Sequence, residues 1–203
     1  SALQLQRTGR GEGMGVPGKA LLRVVTEDAT ALALFETGKL DVVTRFPYYD
    51  LDKLRARGVT KSFPFRATYY VGFNQRLAPW SRVEARRVAA AALDRGALVA
   101  LLKGDGTASA RWLPSSASTP VPPDAVKPAA GVFATDADGK RALTLGFDAG
   151  SRNQLICERV QSDLKTKLGL GVQLEARDWK THLRNLTQET PGLFRFGWLS
   201  PFL

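Results

Sequence analysis

Side-chain chemistry needs partners, and this chain supplies few. It has one cysteine, Cys157, and one histidine, His182, among 203 residues, so no disulfide framework, Cys/His zinc site or Ser/His/Asp set with a choice of partners can be assembled. Asp136, Asp138 and Asp148 are carboxylates near a loop, but no histidine, cysteine or phosphate loop joins them in a constellation. Gly13, Gly15 and Gly18 fit G-x-G-x-x-G. A dinucleotide loop must follow a strand and open a helix, whereas this one precedes a strand and contains Pro17. Cys157 follows Ile156 in a helical pattern with no basic neighbour close enough by spacing to activate it, so it reads as a small helix residue. His182 reads as a mid-helix residue, exposed or satisfied locally. No enzyme activity, cofactor or metal is expected, which leaves binding through charge, aromatic surface and backbone.

The formal charge of +10 raises nucleic acid or an anionic membrane as a partner. The excess is local: residues 53–111 carry twelve Lys and Arg against Glu84, Asp94 and Asp105, a balance of +9. The region lacks a recognisable nucleic-acid-binding motif and its aromatics sit in a strand-like run, so a solvated basic face is the first reading and a basic α/β nucleic-acid-binding domain the alternative. No stretch approaches the roughly 18 to 20 uncharged apolar residues that cross a bilayer. The amino terminus has no apolar segment behind its charges and is not a signal peptide.

The elements alternate. Glycine-rich residues 1–19 read as a flexible lead-in. Strands are expected at 20–25 and 40–44, with a helix from Asp28 to Thr37 between them, ended by Gly38. A short helix over 49–57 stops at Gly58, and extended segments follow at 59–63 and 67–74. Two capping boxes, Ser81 with Glu84 and Ser151 with Gln154, predict helix starts. Asp94 and Asp178 read as caps of further helices. Residues 104–140 are proline-rich and aperiodic, an irregular excursion. A strand at 141–147 follows, then a helix with Ile156, Val160, Leu164 and Leu168 inward, ended by Gly169. A strand through Val172, Leu174 and Ala176 comes next, then a helix with Trp179, Leu183 and Leu186 on one face. The prediction is an α/β domain, helices on a largely parallel or mixed sheet, with 20–203 forming a single lobe. The apolar run 193–203 is the kind of strand that a domain buries, which points to a piece of a longer protein.

Several landmarks, in this order, resemble the extracellular solute-binding proteins of ABC importers, family 5, with dipeptide-, oligopeptide- and nickel-binding members. They are TEDATALALFETGKLDVVT, then ATYYVGFNQRLAPWSRVEARRVAAAALDRGALVALLKG, LTLGF, NQLICERVQSDLKTKLGLGVQLE, RDWKTHL and FRFGWL. The middle block, with its aromatic strand ending in Gly-Phe-Asn, is the most specific. The resemblance spans roughly residues 21–198 and implies a type II periplasmic-binding-protein-like lobe, one jaw of a two-lobe clamp. It further implies a missing first lobe, a membrane permease as partner, a periplasmic or extracytoplasmic location and a monomer, with no nucleic acid. In oligopeptide binders the strand matching residues 194–199 runs beside the peptide, its tryptophan corresponding to Trp198 and its arginine to Arg195, and its backbone offers strand-like hydrogen bonds. The expected ligand-binding set is Trp198, Arg195, Leu199 and Ser200, with Tyr69, Phe73 and Asn74 from the aromatic strand.

Departures bear on the ligand. The acidic residue that pairs with a peptide amino group in such proteins is Pro201 here, and a basic position and a histidine position fall at Leu186 and near Gln154. The ligand thus shifts from a zwitterionic peptide toward a less charged one, or one gripped by the other lobe. If Phe194 and Phe196 face the core, Arg195 faces solvent or the cleft. The alternative within the family is the sensor domain of a transcriptional regulator.

Overall fold

The computed structural model describes residues 2–6, 17–63, 66–109, 130–136 and 139–199. Contacts divide the chain into two compact units, Ser1–Thr60 and Lys61–Leu203.

In the first unit, β1 (Ala2–Gln6) pairs antiparallel with β2 (Lys19–Arg23), Leu3 opposite Leu22. Part of the expected lead-in is therefore a strand. Helix α1 (Asp28–Glu36) has Asp28 inside its first turn, Glu27 being the N-cap. Asp28 pairs with Arg45 at 3.2 Å. Gly38 has a left-handed backbone after the helix, as expected. Residues 40–44 form no strand: the two strands of this unit pair with each other, and Val42 is exposed. A 3₁₀ turn at Tyr48–Asp50 leads into α2 (Leu51–Ala56), which buries Tyr48, Leu51 and Leu54.

The second unit is built on a four-stranded sheet. It contains β3 (Ala67–Phe73), α3 (Val83–Ala92), α4 (Arg95–Leu101), α5 (Gly139–Ala142), β4 (Thr144–Asp148), α6 (Ser151–Leu168), β5 (Gln173–Arg177), α7 (Trp179–Gln188) and β6 (Leu193–Leu199). The order is β3-β6-β4-β5, with β4 parallel to β5 and β6, and β3 antiparallel to β6. Residues 59–63 are not a strand, and residue 141 lies in α5, not β4. Asp94 and Asp178 cap as expected, accepting from the N–H groups of Ala97 at 2.9 Å and Thr181 at 3.0 Å.

Neither capping box forms. The turn before α3 commits the Ser81 N–H to the Leu77 carbonyl, and the helix starts two residues later with Arg82 as N-cap. Ser151 is already helical, Gly150 is the N-cap, and the Gln154 amide turns forward to Glu158 at 2.7 Å. Asn153 binds the approach to α6 instead, its Nδ2 donating to the Asp148 carbonyl at 3.0 Å and to Asp148 Oδ2 at 2.9 Å.

The core lies between the sheet and α3 and α6. Trp80, Leu145, Phe147, Cys157, Val160, Leu164 and Leu193 are fully enclosed. Trp80 touches the Phe73 ring at a centroid distance of 5.0 Å and donates from Nε1 to the Ala142 carbonyl at 2.6 Å. The inward stripe of α6 therefore centres on Cys157, Val160 and Leu164, with Ile156 only half-buried. Burial pushes the Cys157 thiol up to about 12. In α7 the buried residue is His182, while Trp179 is 54% exposed, so the face expected to be apolar is turned one residue away.

Trp80→Ala, which empties an enclosed site and strands the Ala142 carbonyl, is expected to cost about 3–5 kcal/mol in urea unfolding. Trp179→Ala should cost under about 1 kcal/mol; equal losses would refute this core. Folded protein should resist iodoacetamide at Cys157 in mildly alkaline buffer and react once unfolded. Labelling of the folded chain at the rate of a free thiol would contradict the burial. Thr181, through its hydroxyl and its N–H, holds the Asp178 carboxyl below the usual range. Its stabilisation is present above the unfolded value, about 4, and disappears as pH falls through the lowered folded value. Melting temperatures of wild type and Asp178→Ala should thus differ at neutral pH and converge in strong acid; a gap unchanged in acid would show that the charge plays no part.

Candidate functional site

Three parallel strands end on one rim, at Asp148, Arg177 and Leu199, and β3 begins there with Ala67 opposite Leu199. Ligands of open α/β sheets sit outside the carboxyl ends, where successive connections diverge. Here α6 carries the chain from β4 out to β5, and α7 carries it back past β4 to β6. The crevice is therefore between β4 and β6.

The ladder is short at that place. β6 pairs with β4 only through Leu145↔Leu193 and Gly146↔Phe194, yet pairs with β3 from end to end. The Asn74 N–H donates to the Gly192 carbonyl at 2.8 Å, which sets the alternation of the β3 ladder. Main-chain groups of Phe194, Phe196 and Trp198 face β3, and those of Arg195, Gly197 and Leu199 face away from it. His182 Nε2 lies 3.1 Å from the Arg195 carbonyl, and since a carbonyl only accepts, Nε2 carries the proton. Gly197 and Leu199 lie beyond the last β4 pair, with N–H and C=O on the crevice side. Gly197 also admits Tyr69: a Cβ there would come within 2.6 Å of the Tyr69 ring.

The two sheet faces differ. On the core face, Arg195 is 8% exposed and donates from Nη1 to Asp148 Oδ1 at 2.8 Å. Its guanidinium lies 4.8 Å from the centroid of the Tyr69 ring, and that of Arg152 lies 5.8 Å from it. Arg152 meets Asp105 at 3.3 Å between side chains. On the other face, Trp179 stacks on Phe196 at 5.8 Å and 11°, and Tyr70 meets Phe196 edge-on at 6.3 Å. Alternation places Trp198 on this face, half-buried.

The structure therefore gathers Arg195, Trp198, Leu199 and Tyr69 at the rim. Ser200 lies outside the described residues, as does Pro201. Phe73 and Asn74 stand at the opposite end of β3, roughly 20 Å away at the rise of a strand. Phe73 packs on Trp80, and Asn74 donates to the Thr190 carbonyl at 2.8 Å and accepts from the Arg76 N–H at 3.1 Å, which ties down a loop. Arg195 corrects the expectation of a solvent- or cleft-facing side chain: Leu193 and Arg195 share the core face, and Asp148 together with the Tyr69 ring makes burial of the charge tolerable. His182 is buried and not exposed, and its local partner is the Arg195 carbonyl.

Spacing had not indicated the pairing of Asp148 with Arg195 or the anchoring of Asp148 by Asn153. The usable signal was an Asp at the end of a strand just ahead of a helix. The basic segment has structural employment. Arg82 bonds the carbonyls of Gly131, Val132 and Ala134, Arg86 those of Trp80 and Ser81, and Arg95 those of Ala90 and Leu93. Among the described residues no group of three or more His, Cys, Asp or Glu could hold a metal ion, and no helix is long and apolar enough to cross a membrane.

Residues 18–203 match the family described as "Bacterial extracellular solute-binding proteins, family 5 Middle". The chain is 25% identical over 200 residues to the periplasmic oligopeptide-binding protein OppA of Salmonella typhimurium, covering 88% of this chain and 36% of that protein. It thus spans about a third of the length of the curated relatives it matches. Among solved structures, the periplasmic oligopeptide-binding protein OppAIV of Borrelia burgdorferi superposes with a TM-score of 0.77 at 20% identity, over 97% of this chain and 42% of that one. Haemophilus influenzae OppA in complex with RPPGFSPFR gives a TM-score of 0.70 at 18% identity, over 90% and 39%. These folds are type II periplasmic binding proteins, in agreement with the mixed sheet and its flanking helices. With the match running almost the whole length of the sequence, the chain belongs to the family 5 bacterial extracellular solute-binding proteins.

Proposed function

We infer that this chain supplies one jaw of a receptor that captures a peptide or related small solute outside the cytoplasmic membrane and passes it to an ABC permease. The Lys61–Leu203 unit provides the rim, and the rest of the receptor provides the facing lobe, the receptor acting as a monomer. The work is binding without catalysis: burial between lobes and hydrogen bonds hold the ligand. The observation that carries this reading is the crevice-side edge of β6 at Gly197 and Leu199, which lies past the last β4 pair among the described residues and is flanked by Tyr69 and Trp198. An extended peptide satisfies such an edge with its own main chain, which gives affinity with tolerance of side chains. The employment of Arg82, Arg86 and Arg95 on carbonyls weighs against a nucleic-acid-binding reading of the basic segment.

Isothermal titration of the intact receptor with short alanine peptides tests this. N-methylation of one ligand amide should weaken binding at least tenfold at the position that meets β6, while changes of ligand side chain should shift it far less. Uniform indifference to N-methylation would remove the strand-edge contact from the account, and salt-dependent capture of nucleic acid with no peptide bound would replace it.

A further inference from the structure

Arg195 brings a positive charge from β6 beneath the crevice, and a buried guanidinium is the natural partner of an anionic ligand group. In this chain that partnership is already made. Asp148 Oδ1 accepts from Arg195 Nη1 at 2.8 Å, and Asp148 Oδ2 is held by Asn153 Nδ2 at 2.9 Å, so the carboxylate is fixed from both sides. Among the described residues Arg195 Nε is buried with no hydrogen-bond partner, so the contacts that place the side chain are Asp148 and the Tyr69 ring. The second cation over Tyr69, Arg152, is matched as well: its Nη1 meets Asp105 Oδ2 at 3.3 Å and its Nη2 donates to the Asp105 carbonyl at 3.2 Å. Two cations and two anions therefore surround a half-exposed tyrosine ring, and the neighbourhood is neutral.

Resting on the peptide-receptor reading, we propose that Asp148 is a specificity-determining residue: by occupying Arg195 it makes the subsite over Tyr69 accept an uncharged stretch of ligand and reject a carboxylate. A ligand carboxylate arriving there meets Asp148 as a like charge and finds no unshared guanidinium. A main-chain amide or an apolar side chain meets only the ring and the β6 edge. The selection works through repulsion as much as attraction.

The test uses the intact receptor and alanine peptides of two to five residues, each as the free acid and as the carboxyl-terminal amide, titrated calorimetrically. At the length whose carboxyl terminus reaches Tyr69, wild type should bind the amide at least tenfold more tightly than the acid. Asp148→Asn should then shift the acid-to-amide affinity ratio at least tenfold toward the acid. Wild type alone decides the matter if the variant is unstable. Binding of the acid as tightly as, or more tightly than, the amide at every length overturns the proposal and leaves the peptide reading standing. If no peptide of either form binds, both fall.

Discussion

β6 leaves β4 after Gly146↔Phe194, and the rest of the rim follows from how the gap is closed. Backbone hydrogen bonds end there, and one ion pair, Arg195 to Asp148, spans the two strands in their place. A charge as buried as Arg195 is tolerated only when matched and held in good geometry, because removing one partner of such a pair leaves the other charge uncompensated at a cost of about 3–5 kcal/mol. The matching recruits neighbours in sequence. Asn153 in the first turn of α6 fixes Asp148, the Tyr69 ring covers the guanidinium, and Gly197 gives that ring room. His182 reaches the Arg195 carbonyl from α7, so helices from both faces converge on one residue of one strand.

Much of the scaffold was legible in the sequence. The alternation of strand and helix, the caps at Asp94 and Asp178 and the glycine stops are local features, and each depends on a few neighbouring residues whose chemistry is visible in a line of text. The failures are of another kind. Residues 40–44 look like a strand, but a strand needs an edge to pair with. Ser81 looks like a cap, but its N–H belongs to the preceding turn. The site shows the same division. Trp198, Leu199 and Tyr69 gather at the rim because they lie on the carboxyl-end half of β6 and the facing half of β3, and Arg195, before the midpoint of β6, reaches the rim through its side chain on Asp148. Phe73 and Asn74 do not, because strand direction puts them at the far end. The Arg195–Asp148 pair could not be read at all, since residues 47 apart meet only once β6 is set beside β4.

Net charge was the least informative signal. A balance of +9 over residues 53–111 would suit a polyanion, yet three of its arginines spend their donors on backbone carbonyls. A guanidinium presents five donors in a rigid fork and loses its charge under no ordinary condition, so it can bind two or three carbonyls at once, as Arg82 does on the segment 131–134.

The rim then has a division of labour with a physical logic. In the proposed peptide-binding reading, the main-chain groups of Gly197 and Leu199 would be indifferent to ligand side chains and would supply affinity without choosing among sequences. Choice must come from what flanks that edge, and there the chain places aromatic surface and self-neutralised ion pairs in preference to free charge. Aromatic rings gain from burial under a closing lobe whatever the ligand's sequence. Free charges would lose hydration at closure and demand one particular counter-charge each. In that reading, a crevice whose charges are satisfied before the ligand arrives would close on many peptides at similar cost.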